Sequence, residues 1–364
     1  MSTIGISLYL DYCDLETCMK KIDRAAELGY SECFTSFNFA EYRFPGERKD
    51  TDENRKKLIG YANSRGLRFH IDITRNLLYS MGGSISDLSC FKELGIPVIR
   101  LDGGFEPEEV AELTRNGSGI LIEDNLSNYV LMKKTLPIVK EKGDLSQYLA
   151  CLNFFPRNYT GLKMEEAAEM ARELKACGGM VGGFIGSLYS PTQMNDTSTG
   201  TPSIEEHRFL PASVQMSEML LNGFDYVLFG DSDPSDEELE AAASAHRCFE
   251  EGYVEIPCYF DDIDPEILEK IRSTDFLSRI DHAEKVIRGT QSRGIDMKLY
   301  NTISRNRYCI TLDNILSNQY RGELQICLEE LPAERFVNVI GQVRPYAVRL
   351  LKYIHQEPVH FRLV

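Results

Sequence analysis

Residues 200–211, GTPSIEEHRFLP, set two carboxylates, an imidazole and a guanidinium behind a Pro-Ser step. More ionisable and amide groups recur at alternate positions of β-rich runs: Tyr9 and Asp11; His70, Asp72 and Thr74; Arg100 and Asp102; Glu123 and Asn125; Cys151 and Asn153; with Asp231 closing the last run. Side chains two apart on a strand share a face, and each set lies toward the carboxyl end of its run. Carboxylates gathered in unlike surroundings are the equipment of general acid–base chemistry. Unpaired charges are costly to bury, so such a cluster either forms a structural polar network or meets a substrate. Taken singly, Asp11 also reads as the N-cap of the following LETCMKK, and Asp231-Ser232 as the start of the turn before PSDEELEAAA.

Within the opening stretch, Ser203 and Glu206 have the spacing of a capping box entered through Pro202, which predicts a helix start. Glu205, His207 and Arg208 are not needed for that cap. Glu205 and Arg208 are three apart, and as an exposed ion pair would contribute well under ~1 kcal/mol. The functional alternative makes Glu205 an acid or base, with Arg208 near an anion. Glycines 178, 179, 182, 183 and 186 are followed by no GK[ST], so a nucleotide loop is not expected. The long connection from Leu188 to Pro202 is of the kind that often carries function, including a phosphate site beside a helix N-terminus.

The elements that must position these groups alternate regularly. Candidate strands cover 4–11, 31–39, 67–74, 98–105, 119–127, 149–156, 179–187 and 225–232, with helical patterns between them such as LETCMKKIDRAAELG and MEEAAEMARELKACGG, each closed by Gly. Eight β/α units in about 240 residues predict a TIM (β/α)8 barrel, whose active sites gather at the carboxyl ends of the strands. An open doubly wound sheet would carry a glycine-rich turn after its first strand, and none is present. From Phe249 the rhythm becomes β-rich, with VEIPCYF, RYCITLDN, GELQICLEEL and FVNVIGQV, and FDDIDPEILEKIRS as a linking helix. The predicted domains are 1–246 and 247–364.

Composition narrows the function. The net charge of −16 is uneven: residues 1–269 hold 25 basic and 46 acidic side chains, and residues 270–364 hold 15 and 10. An acidic body argues against nucleic acid as a partner. No run is long and apolar enough for a membrane span, and Asp11 and Asp14 interrupt any leader. The ten cysteines stand singly without a CxxC pair, which predicts reduced thiols in a cytoplasmic protein and no zinc site. No cofactor or metal is expected, and a homodimer is one option for an assembly that the sequence leaves open.

Taken in order, GISLYLD, DLSCFKELGI, IRLDGGF, IEDNLSN, LNFFPRNYTGL, TPSIEEHR, FGDSDPSDEEL, GTQSR, ITLDN, YRGELQI and RFVNVIGQV span nearly the whole chain. In these stretches the chain resembles the 6-phospho-N-acetylmuramidases. The resemblance implies a TIM barrel followed by a small cyclophilin-like β-barrel, and cleavage of 6-phospho-MurNAc–GlcNAc in peptidoglycan recycling. It also implies site positions at Asp72, Arg100, Asp102, Glu123, Asn125, Asn153, Thr160, Glu205, His207 and Arg208, with Asn301, Asp313, Asn314 and Glu323 in the second domain. Leu152, Tyr300 and Tyr308-Cys309 depart from the family pattern.

Glycoside hydrolysis needs one carboxylic acid to protonate the leaving oxygen and a second carboxylate as nucleophile or base. Glu205 or Glu123 is the expected acid, and Asp72 or Asp102 its partner. Arg100, Arg157, Arg208 and the basic second domain are the expected cations for a phosphorylated sugar. Two competitors remain. An aldolase would want a strand lysine and an epimerase a set of metal ligands, yet the strands hold no lysine and one histidine, His70. A non-catalytic phospho-sugar-binding paralogue draws on the three departures.

Overall fold

The computed structural model describes residues 1–37, 51–189, 199–356 and 359–364. They divide into two compact units, Met1–His246 and Arg247–Val364. In the first, eight parallel strands close a barrel in sequence order: β1 Thr3–Ser7, β2 Glu32–Ser36, β3 Arg68–Ile73, β4 Val98–Leu101, β5 Leu121–Asn125, β6 Tyr148–Cys151, β7 Met180–Ile185 and β8 Tyr226–Phe229. Each strand is followed by at least one helix, so the (β/α)8 expectation holds. The predicted end of the β2 run, residues 38–39, and most of the Leu188–Pro202 connection lie outside the described residues.

Helix boundaries follow their caps. Asp14, not Asp11, caps Leu15–Glu27 by accepting from Thr17 N, and Gly29 follows with φ 87°. Several strands are shorter than their apolar runs suggest. β1 ends at Ser7, so Tyr9 and Asp11 do not share a strand face; Tyr9 turns inward and donates to Gly230 O at 3.1 Å. Asn153 and Asp231 likewise stand two residues beyond β6 and β8.

The barrel interior is closed by a ring cluster of Tyr9, Phe34, Phe184 and Tyr226, with Phe154 packed on it. This packing explains part of the glycine run. A Cβ on Gly182 would come within 2.0 Å of the Tyr226 ring, so the missing side chain on β7 makes room for that ring inside the barrel.

In the second unit, sheet order β10-β15-β13-β14-β12 joins β10 Cys258–Phe260, β15 Val337–Val343, β13 Cys309–Asp313, β14 Leu324–Cys327 and β12 Val286–Gly289. A second sheet, β11-β16-β9, joins Phe276–Leu277, His360–Leu363 and Tyr253–Ile256. The unit is β-rich as expected, but its described strands form two separate sheets rather than a closed barrel.

Candidate active site

Strand register assembles the centre of the site. Asp72 on β3 stands beside Arg100 on β4, which stands beside Glu123 on β5. All three point into the barrel near the carboxyl ends of their strands and are buried. Arg100 Nη1 donates to Asp72 Oδ1 at 2.6 Å and lies 3.8 Å from Asp102 Oδ1. Its Nη2 donates to Asn153 Oδ1. Arg100 Nε and Glu123 Oε1 approach to 3.4 Å without a hydrogen bond, and both atoms are buried without another partner among the described residues.

Behind this row the charges alternate across the barrel. His70, fully buried, sits between Glu123 and Glu32, and Glu32 takes a two-pronged contact from Arg68, at 2.9 and 2.6 Å. Tyr226 Oη also donates to Glu123, at 2.8 Å. Burial alone would push His70 down, but Glu123 and Glu32 outweigh it and raise its pKa to about 9. Burial would raise Glu32, but His70 and Arg68 pull it to about 2. The line from Arg68 to Asp102 thus holds three cations, Arg68, His70 and Arg100, against four carboxyls, Glu32, Glu123, Asp72 and Asp102. With one carboxyl more than its cations, the line favours proton uptake. Asp72 is the group whose surroundings favour it: burial and the nearby Asp102 outweigh the Arg100 contact and push it to about 6.

Glu205 is placed differently from its predicted role. Its carboxylate accepts from Tyr159 N and Gly161 N, at 2.8 Å each, and from Arg208 Nε and Nη2, at 2.8 and 2.7 Å. The Arg208 contact holds it down to about 2, so it keeps no proton to give. Gly161 is required for this approach, because a Cβ there would meet Glu205 N at 2.7 Å. Tyr159 is held at φ 68°, a left-handed conformation uncommon outside glycine. Arg208 is no exposed partner either. Its side chain is fully buried, and besides Glu205 it donates to the carbonyls of Phe155, Gly200 and Arg157. The pair is therefore a clamp on the β6 loop, and Arg208 has little left for a substrate anion.

The predicted capping box does not form. Ser203 Oγ accepts from Phe184 N at 2.9 Å, tying the stretch alongside β7, and Glu205–His207 is a single 3-10 turn begun by Ile204 without a side-chain cap. His207 is buried against Glu218, at 3.1 Å, and does not reach the mouth. Asp231 Oδ2 accepts from Ser187 N and Thr201 N, at 2.7 and 2.9 Å, which joins β7 to the 200–202 segment; burial raises its pKa to about 6 against those bonds. Asn125 Oδ1 accepts from Ser127 N, and Asn125 with Asp102 lines a cleft of about 60 Å³ between β4 and β5. Thr160 Oγ1 donates to Arg157 O, closing a turn. The exposed guanidinium of Arg157 makes no ion pair among the described residues.

In the second unit, Glu323 is buried under Arg288 and Arg293 and held low by them against its burial. Asn314 donates to Arg335 O and Asn338 Oδ1, and Asn301 to Asp261 and Val339 O, all structural bonds. Asp313 is raised by burial to about 6 and accepts from Ser317. Two of the departures are core positions: Leu152 and Cys309 are buried, while Tyr300 is half-buried.

Sequence reasoning passed over Glu32 and Tyr226 and gave His70 no role. A signal was present in RFHID, where three ionisable side chains alternate with apolar ones on one strand. Among the described residues no group of three or more His, Cys, Asp or Glu has the geometry of a metal site.

Comparisons with known proteins agree with this architecture. Over its full length the chain is similar to a solved uncharacterized protein of B. cereus, at 28% identity with a TM-score of 0.87, covering 99% of that chain. It also shares its fold with a conserved protein of unknown function from Enterococcus faecalis, at 23% identity and a TM-score of 0.76, covering 100% of this chain and 96% of that one. No curated protein matches significantly. Residues 4–244 match the N-terminal domain of the 6-phospho-N-acetylmuramidases, and residues 255–364 match the C-terminal domain. With both halves matched in order around this charged barrel, the chain belongs to the 6-phospho-N-acetylmuramidase family.

Proposed function

We propose that the barrel hydrolyses the glycosidic bond of a 6-phosphorylated N-acetylmuramyl–N-acetylglucosamine disaccharide, with Asp72 as the general acid. The observation that carries this reading is the proton balance of the Asp72–Arg100–Glu123 row. A buried carboxyl raised to about 6 keeps a usable proton close to neutral pH. Asp102, more exposed and just beyond the end of the adjacent strand, is its carboxylate partner. Both approach the same Arg100 nitrogen, at 2.6 and 3.8 Å, which sets the two carboxyls on one guanidinium. The leaving oxygen takes the Asp72 proton as the glycosidic bond breaks, and Asp102 acts at the anomeric carbon as nucleophile or as base for the attacking water.

The remaining roles follow from what each group has to spare. Arg100, held by Asp72 and Asn153, sets the acid's orientation. The half-buried Phe154 ring supplies an apolar face for a sugar ring. Arg157, exposed on a loop that Glu205 and Arg208 hold in place, is the best cation for the 6-phosphate. On the same resemblance the C-terminal unit is a cyclophilin-like domain, and the work is peptidoglycan recycling in the cytoplasm. No described helix is long and apolar enough to cross a membrane. The test is release of N-acetylglucosamine from the phosphorylated disaccharide by the purified chain. Binding of that disaccharide without turnover, unchanged in Asp72→Asn, would overturn the reading.

A further inference from the structure

The second unit contains a cavity of about 330 Å³ whose lining has the chemistry of a recognition site in its own right. Two aromatic rings, Tyr320 and Phe336, are 45% and 39% exposed at its edge. Asp313, the last residue of β13, is 6% exposed; its Oδ2 accepts from Ser317 at 3.1 Å, while its Oδ1 is buried with no hydrogen-bond partner. Gln325 on β14 also lines the cavity, and its carboxamide makes no hydrogen bond among the described residues. Arg288 spends its Nε on Glu323, at 2.6 Å, and its guanidinium lies 5.7 Å from the centre of the Tyr320 ring.

The cations of this cavity already face carboxylates. Arg288 holds Glu323, and Arg305 holds Glu334 at 3.2 Å. A phosphate or carboxylate ligand would add negative charge beside Asp313, Glu323 and Glu334. A ligand rich in hydroxyls meets no such cost. It can donate to Asp313, exchange hydrogen bonds with Gln325 and the Arg288 Nη groups, and lay its C–H face on Tyr320. Few polar groups of fixed direction beside exposed aromatic rings, in a cavity of this volume, suit a small ligand.

We propose that the C-terminal unit binds a neutral pyranose in the Asp313–Gln325–Tyr320 cavity, independently of the chemistry in the barrel. The probe is N-acetylglucosamine, titrated calorimetrically into the full chain, with inorganic phosphate as the second arm. Tyr320→Ala and Gln325→Leu are each expected to weaken sugar binding at least about tenfold. Tyr320→Phe should retain it, because the ring face remains, and Asp72→Asn in the barrel should leave it unchanged. Both altered positions are partly exposed, and thermal melting checks that each variant stays folded. The proposal is overturned if no sugar binds at millimolar concentration, or if binding survives Tyr320→Ala and vanishes in Asp72→Asn. Phosphate, rather than sugar, displaced by the cavity variants would overturn it too. Since the readout is binding, absence of hydrolysis would sink the proposed reaction without touching this one.

Discussion

Replacing Asp72 by asparagine keeps the side chain's shape and its acceptor for Arg100 but removes the proton assigned to the general acid. A positioned general acid contributes roughly 10²–10⁴-fold, or about 3–5 kcal/mol of barrier. The expected result is a fall in kcat of that size, with KM changed little. The pH dependence follows from the same group. The protonated carboxyl is the active form and its pKa is raised to about 6, so kcat/KM of the free enzyme should fall above pH 6, tenfold per unit. In Asp72→Asn that descending limb should disappear. An aryl glycoside whose leaving group needs no protonation should recover most of the lost rate. The assay is release of reducing sugar from the phosphorylated disaccharide and from the aryl glycoside across pH 5–8. A folded Asp72→Asn variant with near wild-type kcat, or one that keeps the limb near pH 6, refutes the assignment.

Glu205→Gln should act on stability rather than on the proton-donating step. It removes the charge facing buried Arg208 but leaves an acceptor for the β6 loop, and a quarter of the Glu205 side chain faces solvent. A loss of about 2 kcal/mol in urea unfolding is expected, with the pH limb of any residual activity unmoved; unaltered stability with kcat abolished would return Glu205 to the role of acid. His70→Gln removes the cation between Glu32 and Glu123, leaving Glu32 to Arg68 and Glu123 to Tyr226, and should cost about 3 kcal/mol. In the intact protein the His70 contribution is fully present below pH 6.5 and is lost as pH rises through about 9, a change of about 3 kcal/mol, so a flat stability curve over that window speaks against a charged His70. Gly182→Ala drives a methyl into the Tyr226 ring and should cost about 1–3 kcal/mol by thermal melting; a neutral outcome would mean that the ring has room to move.

The sequence by itself determined the eight β/α units, the place where the β-rich unit begins, and the acids and amides near the strand ends. Those features are local: alternation, glycine stops and apolar runs are written residue by residue. It also placed Asp72, Arg100 and Glu123 on inward faces, since period-2 alternation needs no tertiary knowledge. What the tertiary structure decided was which charges face which. Only the barrel register makes Asp72, Arg100 and Glu123 neighbours across three strands, and only that neighbourhood singles out one carboxyl to hold a proton. The spacing TPSIEE fits a capping box, yet Ser203 is claimed by Phe184, nineteen residues earlier. Glu205 looked free for catalysis because two of its four donors, Tyr159 N and Gly161 N, lie far away in the chain, and because no local window shows that its neighbour Arg208 is buried. A pKa is set by desolvation and by charges within a few ångströms, and those are properties of the closed barrel rather than of the chain.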